Sequence, residues 1–174
     1  MAGGKSLRFG SNKALNVKGN KTYIQCAVEL LRPYTKEVVI SGFYPEYKRL
    51  KVLILKDDII NIGPLGGIYT ALNYSKTSWI LVSTCDMPNL AGEVIDYMLA
   101  DIKDEKVIGW GSDIHIGGFP ILISKEIIFD LQQYINNGQY KIKQLFDKDY
   151  ARTINIPEEW KFHFSNINKQ EDIY

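Results

Sequence analysis

Short apolar runs alternate with amphipathic segments along most of the chain. The runs at residues 37–41 (EVVIS), 52–56 (VLILK), 79–84 (WILVST) and 106–111 (KVIGWG) are brief and nearly unbroken by polar residues. Strands buried on both faces have this composition, because helices cover both sides of a parallel sheet. Between the runs, apolar residues recur at helical spacing. Ile24, Ala27, Val28 and Leu31 form one stripe, and Ile95, Met98, Leu99 and Ile102 another. Ile127, Ile128, Leu131, Tyr134 and Ile135 form a third, which Asn137-Gly138 ends. The alternation predicts a three-layer α/β/α sandwich, Rossmann-like, with a mainly parallel sheet. No repeat, low-complexity tract or linker interrupts it, so residues 1–174 are expected to form a single domain.

One element is missing from the pattern. A sheet of this kind opens with an apolar strand that delivers the chain to its first glycine loop, yet Met1-Ala2-Gly3-Gly4 already lies in such a loop. The first strand is expected upstream of Met1, since loss of a central strand would leave two neighbours with unpaired backbone groups.

Composition changes this picture little and excludes several function classes. The chain has 174 residues, 45% of them hydrophobic and 24% charged, which allows a sizeable core without disulfides. The net charge of +1 gives no bulk attraction to nucleic acid or to an anionic membrane, so any anion must be held locally. No apolar run approaches the roughly 20 residues that span a bilayer, and no signal peptide is recognisable. Cys26 and Cys85 lack metal-ligand spacing and are expected to be reduced, as in a cytoplasmic protein.

Three stretches carry candidate chemistry. The N-terminal Ala2-Gly3-Gly4-Lys5-Ser6-Leu7-Arg8-Phe9-Gly10-Ser11-Asn12-Lys13 combines glycines with cations, which suits a polyphosphate cradle; a plain polar terminus has the same composition. Its spacing is neither that of a dinucleotide fingerprint nor that of a P-loop. Asp86 follows the 79–84 run, so it should sit beyond a strand's C-terminal end, where open α/β sheets bind ligands and a carboxylate can hold Mg²⁺. A turn-forming Asp before Pro88 is the plain alternative. Asp57-Asp58 and Gly63-Pro64-Leu65-Gly66-Gly67 precede a helix expected over 68–74, where the glycine pair would let backbone pass close to a ligand. His115 and His163 read as structural, and Cys85 lacks a base at readable spacing.

In order and spacing these stretches resemble the molybdenum cofactor guanylyltransferase (MobA) family. The resemblance rests on residues 1–15, on Asp57 with Gly63-Pro64-Leu65-Gly66-Gly67-Ile68, on Cys85-Asp86-Met87-Pro88-Asn89-Leu90, and in part on Phe164-Ser165-Asn166-Ile167-Asn168-Lys169-Gln170-Glu171. It implies transfer of GMP from GTP to molybdopterin cofactor with release of pyrophosphate, Mg²⁺ as cofactor, and molybdoenzymes or their chaperones downstream. By the same resemblance Met1, Ala2 and Gly3 contact the nucleotide, Lys13 its phosphates, Asp57 the nucleotide and Asp86 the metal. Lys13 and Asp86 are then the catalytic pair, and Pro120 (within 118–120) and Asn168 lie towards the acceptor. Ser41 stands where the family often has Asn, and Lys169-Gln170 where it has Thr-Pro. The alternatives are a relative that uses CTP or another acceptor, and a non-catalytic nucleotide-binding domain.

Overall fold

The computed structural model describes residues 1–2, 12–42, 44–111 and 117–166. Two-residue strands β1 (Val17–Lys18) and β2 (Lys21–Thr22) form a small antiparallel hairpin. It leads into α1 (Tyr23–Leu31), whose start is fixed by a reciprocal capping box. The Thr22 side chain accepts from the Gln25 amide, and the Gln25 side chain accepts from the Thr22 amide at 2.7 Å. Then come β3 (Val39–Ser41), β4 (Leu53–Leu55), α2 (Pro64–Tyr74), β5 (Trp79–Val82) and α3 (Gly92–Ala100). The chain closes with β6 (Val107–Gly111), β7 (Gly118–Ser124), α4 (Ile128–Asn136) and β8 (Ala151–Asn155). Gly63, at φ 66°, turns the chain into α2, and Pro64 occupies its first turn, where the missing N–H has no intrahelical partner to lose.

The four apolar runs become β3, β4, β5 and β6, and the stripes become the inner faces of α1, α3 and α4, except that Ile102 lies beyond the end of α3 and is exposed. β3 and β4 pair in parallel, with Val39 opposite Leu53 and Ser41 opposite Leu55. A second sheet has the order β5-β7-β6-β8, with β6 and β8 parallel and β7 antiparallel to both of its neighbours. Side chains alternate across this sheet as the pleat requires. Val107, Ile121 and Ile123 face a core shared with Leu65, Ile68 and Leu72 of α2 and Leu131 of α4. Ile108, Trp110 and Leu122 face the opposite core, with Val94 and Met98 of α3 and Ile154 of β8. Helices therefore cover both faces, as the sandwich requires. Ile24 and Val28 of α1 join Ile40 and Tyr47 in a third cluster around the two-stranded sheet.

Three elements lie outside the sequence reading. β7 carries Pro120, which argues against an interior strand because proline donates no ladder hydrogen bond. Its pairing with β6 shows how the residue is tolerated: Ile108 faces Leu122 and Trp110 faces Gly118, so the register shifts at the proline. β8 is polar at most positions because it lies at the end of the sheet order. The β1–β2 hairpin is too short for any period to register. Between β3 and β5, where a central strand was expected, no ladder is formed among the described residues, and Met1 and Ala2 occupy one end of that position. None of the described helices is long and apolar enough to cross a membrane.

Candidate active site

The loop after β5 turns away at Ser83-Thr84-Cys85 and presents Asp86 beyond the strand's C-terminal end. One Asp86 oxygen, Oδ1, accepts a hydrogen bond from Thr84 Oγ1 at 2.5 Å, which fixes the carboxylate. The other, Oδ2, meets Lys13 Nζ at 3.4 Å. Lys13 begins a short 3₁₀ turn, Lys13–Leu15, that Asn12 caps by accepting the Ala14 amide. The lysine side chain is only 15% exposed and the aspartate 32%, so the pair is shielded from bulk solvent but can still be reached by a ligand.

Met1 and Ala2 lie beside this pair. The Met1 ammonium donates to the Ser83 carbonyl at 2.7 Å, and the Met1 carbonyl accepts from the Cys85 amide. Ala2 donates its amide to the Ser41 carbonyl at 2.9 Å. The Tyr47 hydroxyl lies 3.1 Å from both the Ala2 carbonyl and Asn12 Oδ1, a buried donor shared between these two residues. Asp57 follows β4, and its Oδ1 accepts from Ser41 Oγ at 2.8 Å. Burial pushes the Met1 amine below its ordinary pKa, against the opposing pull of Cys85, Asp86 and Asp57. Burial also pushes the Cys85 thiol up, so it is no ready nucleophile.

Lys13, Asp57, Asp86, Met1 and Ala2 thus converge at the C-terminal ends of β3, β4 and β5, although they are scattered over much of the sequence. Because β7 runs antiparallel, its start lies at the same rim: Ile121 faces Val82 across the β5–β7 ladder. Pro120 is buried at that rim, and its neighbour Gly118 is exposed. Gly3 and Asn168 lie outside the described residues. The glycine pair of α2 has a different task from the one its sequence suggests. A Cβ on Gly66 would lie 2.6 Å from the Ile59 carbonyl oxygen, and one on Gly67 would lie 2.2 Å from Ser41 Oγ. Both glycines admit close packing by the protein's own groups rather than approach by a ligand.

Sequence reasoning passed over Thr84, Tyr47 and the Ser41–Asp57 bond. Thr84, two residues before Asp86, offered a readable signal; Tyr47 lies in a 3₁₀ segment, Pro45–Leu50, whose pattern has no period. His163 is structural, as expected: Nδ1 lies 2.8 Å from the Asn89 carbonyl and Nε2 2.9 Å from Glu93 Oε1, which ties the C-terminal 3₁₀ segment Glu158–Phe164 to α3. Among the described residues no group of three or more His, Cys, Asp or Glu could hold a metal ion. A cation at this rim would rest on Asp86 and on oxygens of a bound ligand, the donor set that Mg²⁺ commonly takes.

A family model for the MobA-like NTP transferase domain matches residues 1–153. The chain belongs to this family. This MobA-like chain is 31% identical to the probable molybdenum cofactor guanylyltransferase of Pyrococcus furiosus, over 99% of its own length and 92% of the relative's. It is 29% identical to the probable molybdenum cofactor guanylyltransferase of Flavobacterium johnsoniae, with the same two coverages. Its fold superposes with a TM-score of 0.81 on molybdopterin-guanine dinucleotide biosynthesis protein A from Archaeoglobus fulgidus, at 19% identity, covering 99% of this chain and 92% of the other.

Proposed function

We propose that this chain transfers GMP from GTP to the terminal phosphate of molybdopterin cofactor, releasing pyrophosphate, with Mg²⁺ held at Asp86. The observation that carries the reading is the meeting of Lys13 and Asp86, one from the glycine-rich N-terminal stretch and one from the end of β5, within 3.4 Å. In this reading an acceptor phosphate oxygen attacks the α-phosphorus of GTP as the bond to pyrophosphate breaks. No covalent help from the protein is needed; positioning and charge neutralisation supply the catalysis. The Lys13 ammonium turns from Asp86 to the phosphates and offsets the charge that develops there. Thr84 holds the Asp86 carboxylate in one orientation. When bound, Mg²⁺ supplies further positive charge beside the α-phosphate. Asp57, kept in place by Ser41, lies towards the nucleoside. The acceptor comes from the β7 side of the rim, and the protein works in the cytoplasm, handing its product to molybdoenzymes or their chaperones.

The competing reading is CTP in place of GTP. It draws on Ser41, which is buried with its hydroxyl committed to Asp57 and so has no hydrogen to offer a base. Equilibrium binding of GTP, CTP, ATP and UTP, with and without Mg²⁺, tests both. A Mg²⁺-dependent preference for GTP is expected; a preference for CTP would change the product, and binding to none would sink the transferase reading.

A further inference from the structure

The backbone that carries Asp86 continues into a tight turn, 87–90, closed by the Leu90 amide on the Met87 carbonyl at 3.1 Å. Met87 and Leu90 bury their side chains in the core that holds Trp110. Pro88 and Asn89, between them, carry the turn's polar contacts with other segments.

Those contacts come from two ends of the chain. Lys18 of β1 donates to the Pro88 carbonyl at 2.9 Å and to Asn89 Oδ1 at 2.6 Å. Its strand follows the 3₁₀ turn that brings Lys13 to Asp86, so two lysines of one stretch end on the same loop. The C-terminal segment supplies the other contacts. Asn89 Nδ2 donates to Ser165 Oγ at 3.0 Å, and the Asn89 carbonyl lies 2.8 Å from His163 Nδ1.

The protons fix this arrangement. An ammonium only donates, so Lys18 must meet the amide oxygen of Asn89. Ser165 Oγ gives its own hydrogen to the Phe162 carbonyl at 2.7 Å, which leaves it an acceptor for Nδ2. The Asn89 amide therefore has one orientation, with its oxygen, its nitrogen and the backbone carbonyl all engaged.

We propose that Asn89 is a positioning residue for Asp86: it ties the turn after the carboxylate to β1 and to the C-terminal segment, and so makes that segment part of the metal end of the site. The role of Asp86 in this inference rests on the transferase reading. Before the turn, Asp86 is held by its bond from Thr84 and by the Cys85 amide on the Met1 carbonyl. After it, the turn's hydrogen bonds to other segments fall on Pro88 and Asn89, so loosening Asn89 leaves Asp86 anchored on one side. Mg²⁺ tolerates little displacement of its ligands, so the cation requirement is where such a loss would be felt.

The test uses Ser165→Ala and Asn89→Ala, with Ser165→Thr as the variant that keeps a hydroxyl. Ser165 is exposed, so its loss should leave Tm within about 2 °C. The Mg²⁺ concentration for half-maximal GTP binding should rise about threefold in Ser165→Ala and about tenfold in Asn89→Ala. It should stay at the wild-type value in Ser165→Thr, and GTP binding without Mg²⁺ should not change in any of them. A lowered Tm with an unmoved Mg²⁺ requirement would overturn the proposal, as would an equal loss of GTP binding with and without Mg²⁺. Amide exchange in the unliganded chain gives a second readout that needs no nucleotide. Exchange at residues 84–90 should quicken in both alanine variants while β6 and β7 stay as protected as before. If the wild-type chain binds no GTP, the transferase reading fails and exchange alone decides: unchanged exchange at 84–90 refutes the tie through Asn89. If Asn89→Ala does not fold, Ser165→Ala decides by the same two readouts.

Discussion

At the scale of single residues, the site depends on side chains that hold one another. Asp86 is oriented by Thr84 and faces Lys13, while Asp57 is oriented by Ser41. Asp86→Ala should abolish nucleotidyl transfer, read as pyrophosphate release, while leaving Tm within a few degrees, because the residue is partly exposed and outside the core. Retained Mg²⁺-dependent turnover would remove Asp86 from the mechanism. Gly67→Ala tests the packing beneath the site. Its Cβ would crowd Ser41 Oγ and the Met1 side chain, at 2.2 and 2.5 Å. Urea unfolding should show a loss of about 1–3 kcal/mol, with nucleotide affinity falling as Asp57 loses its anchor. Asp86 was legible in the sequence because a carboxylate just past an apolar run falls at a strand's C-terminal end. The tasks of Gly66 and Gly67 were not, since a glycine's neighbours across the fold leave no local signal.

At the scale of elements, the apolar runs and stripes gave the helices and most strands because burial on one or both faces imposes its own period. β7 escaped because Pro120 breaks the rule for interior strands, and only the register shift opposite it shows how the sheet accommodates the residue. β8 escaped because an edge strand shows polar side chains to solvent and so lacks a run. α1 shows a start signal that the sequence does contain, Thr22 with Gln25 three residues on. Thr22→Ala removes the side-chain half of that capping box and leaves the backbone amide that Gln25 accepts, and a cost of about 0.5–2 kcal/mol is expected in chemical denaturation. An unchanged midpoint would mean that tertiary packing alone sets the helix start.

At the scale of the whole molecule, the four-stranded sheet is drawn entirely from the chain after α2, while β3 and β4 come from before it. Two tyrosines, Tyr47 buried and Tyr150 partly buried, couple this assembly to pH. Desolvation, the larger cause, pushes Tyr47 up to about 12, and Tyr150 is raised further by burial and by its hydrogen bond to Asp130. In the unfolded chain both titrate near the ordinary value of about 10. Their contribution is complete below pH 10 and is lost as pH rises through the folded values, because only the unfolded state releases its protons in that window. Unfolding free energy should therefore fall between pH 10 and 12, and Tyr47→Phe should flatten part of that slope.

The aromatic cluster under the C-terminal segment has a consequence for light. Trp110 of β6 is fully buried, and its ring centre lies 5.8 Å from that of Trp160 in the 3₁₀ segment, at 56° between the planes. Tyr97 packs against both rings and Phe164 against Trp110. Two indoles this close share their excited states, so the near-ultraviolet circular dichroism of this protein should carry a coupled band that neither ring gives alone. The molecule holds an optical gauge of whether its last turn is seated on the sheet.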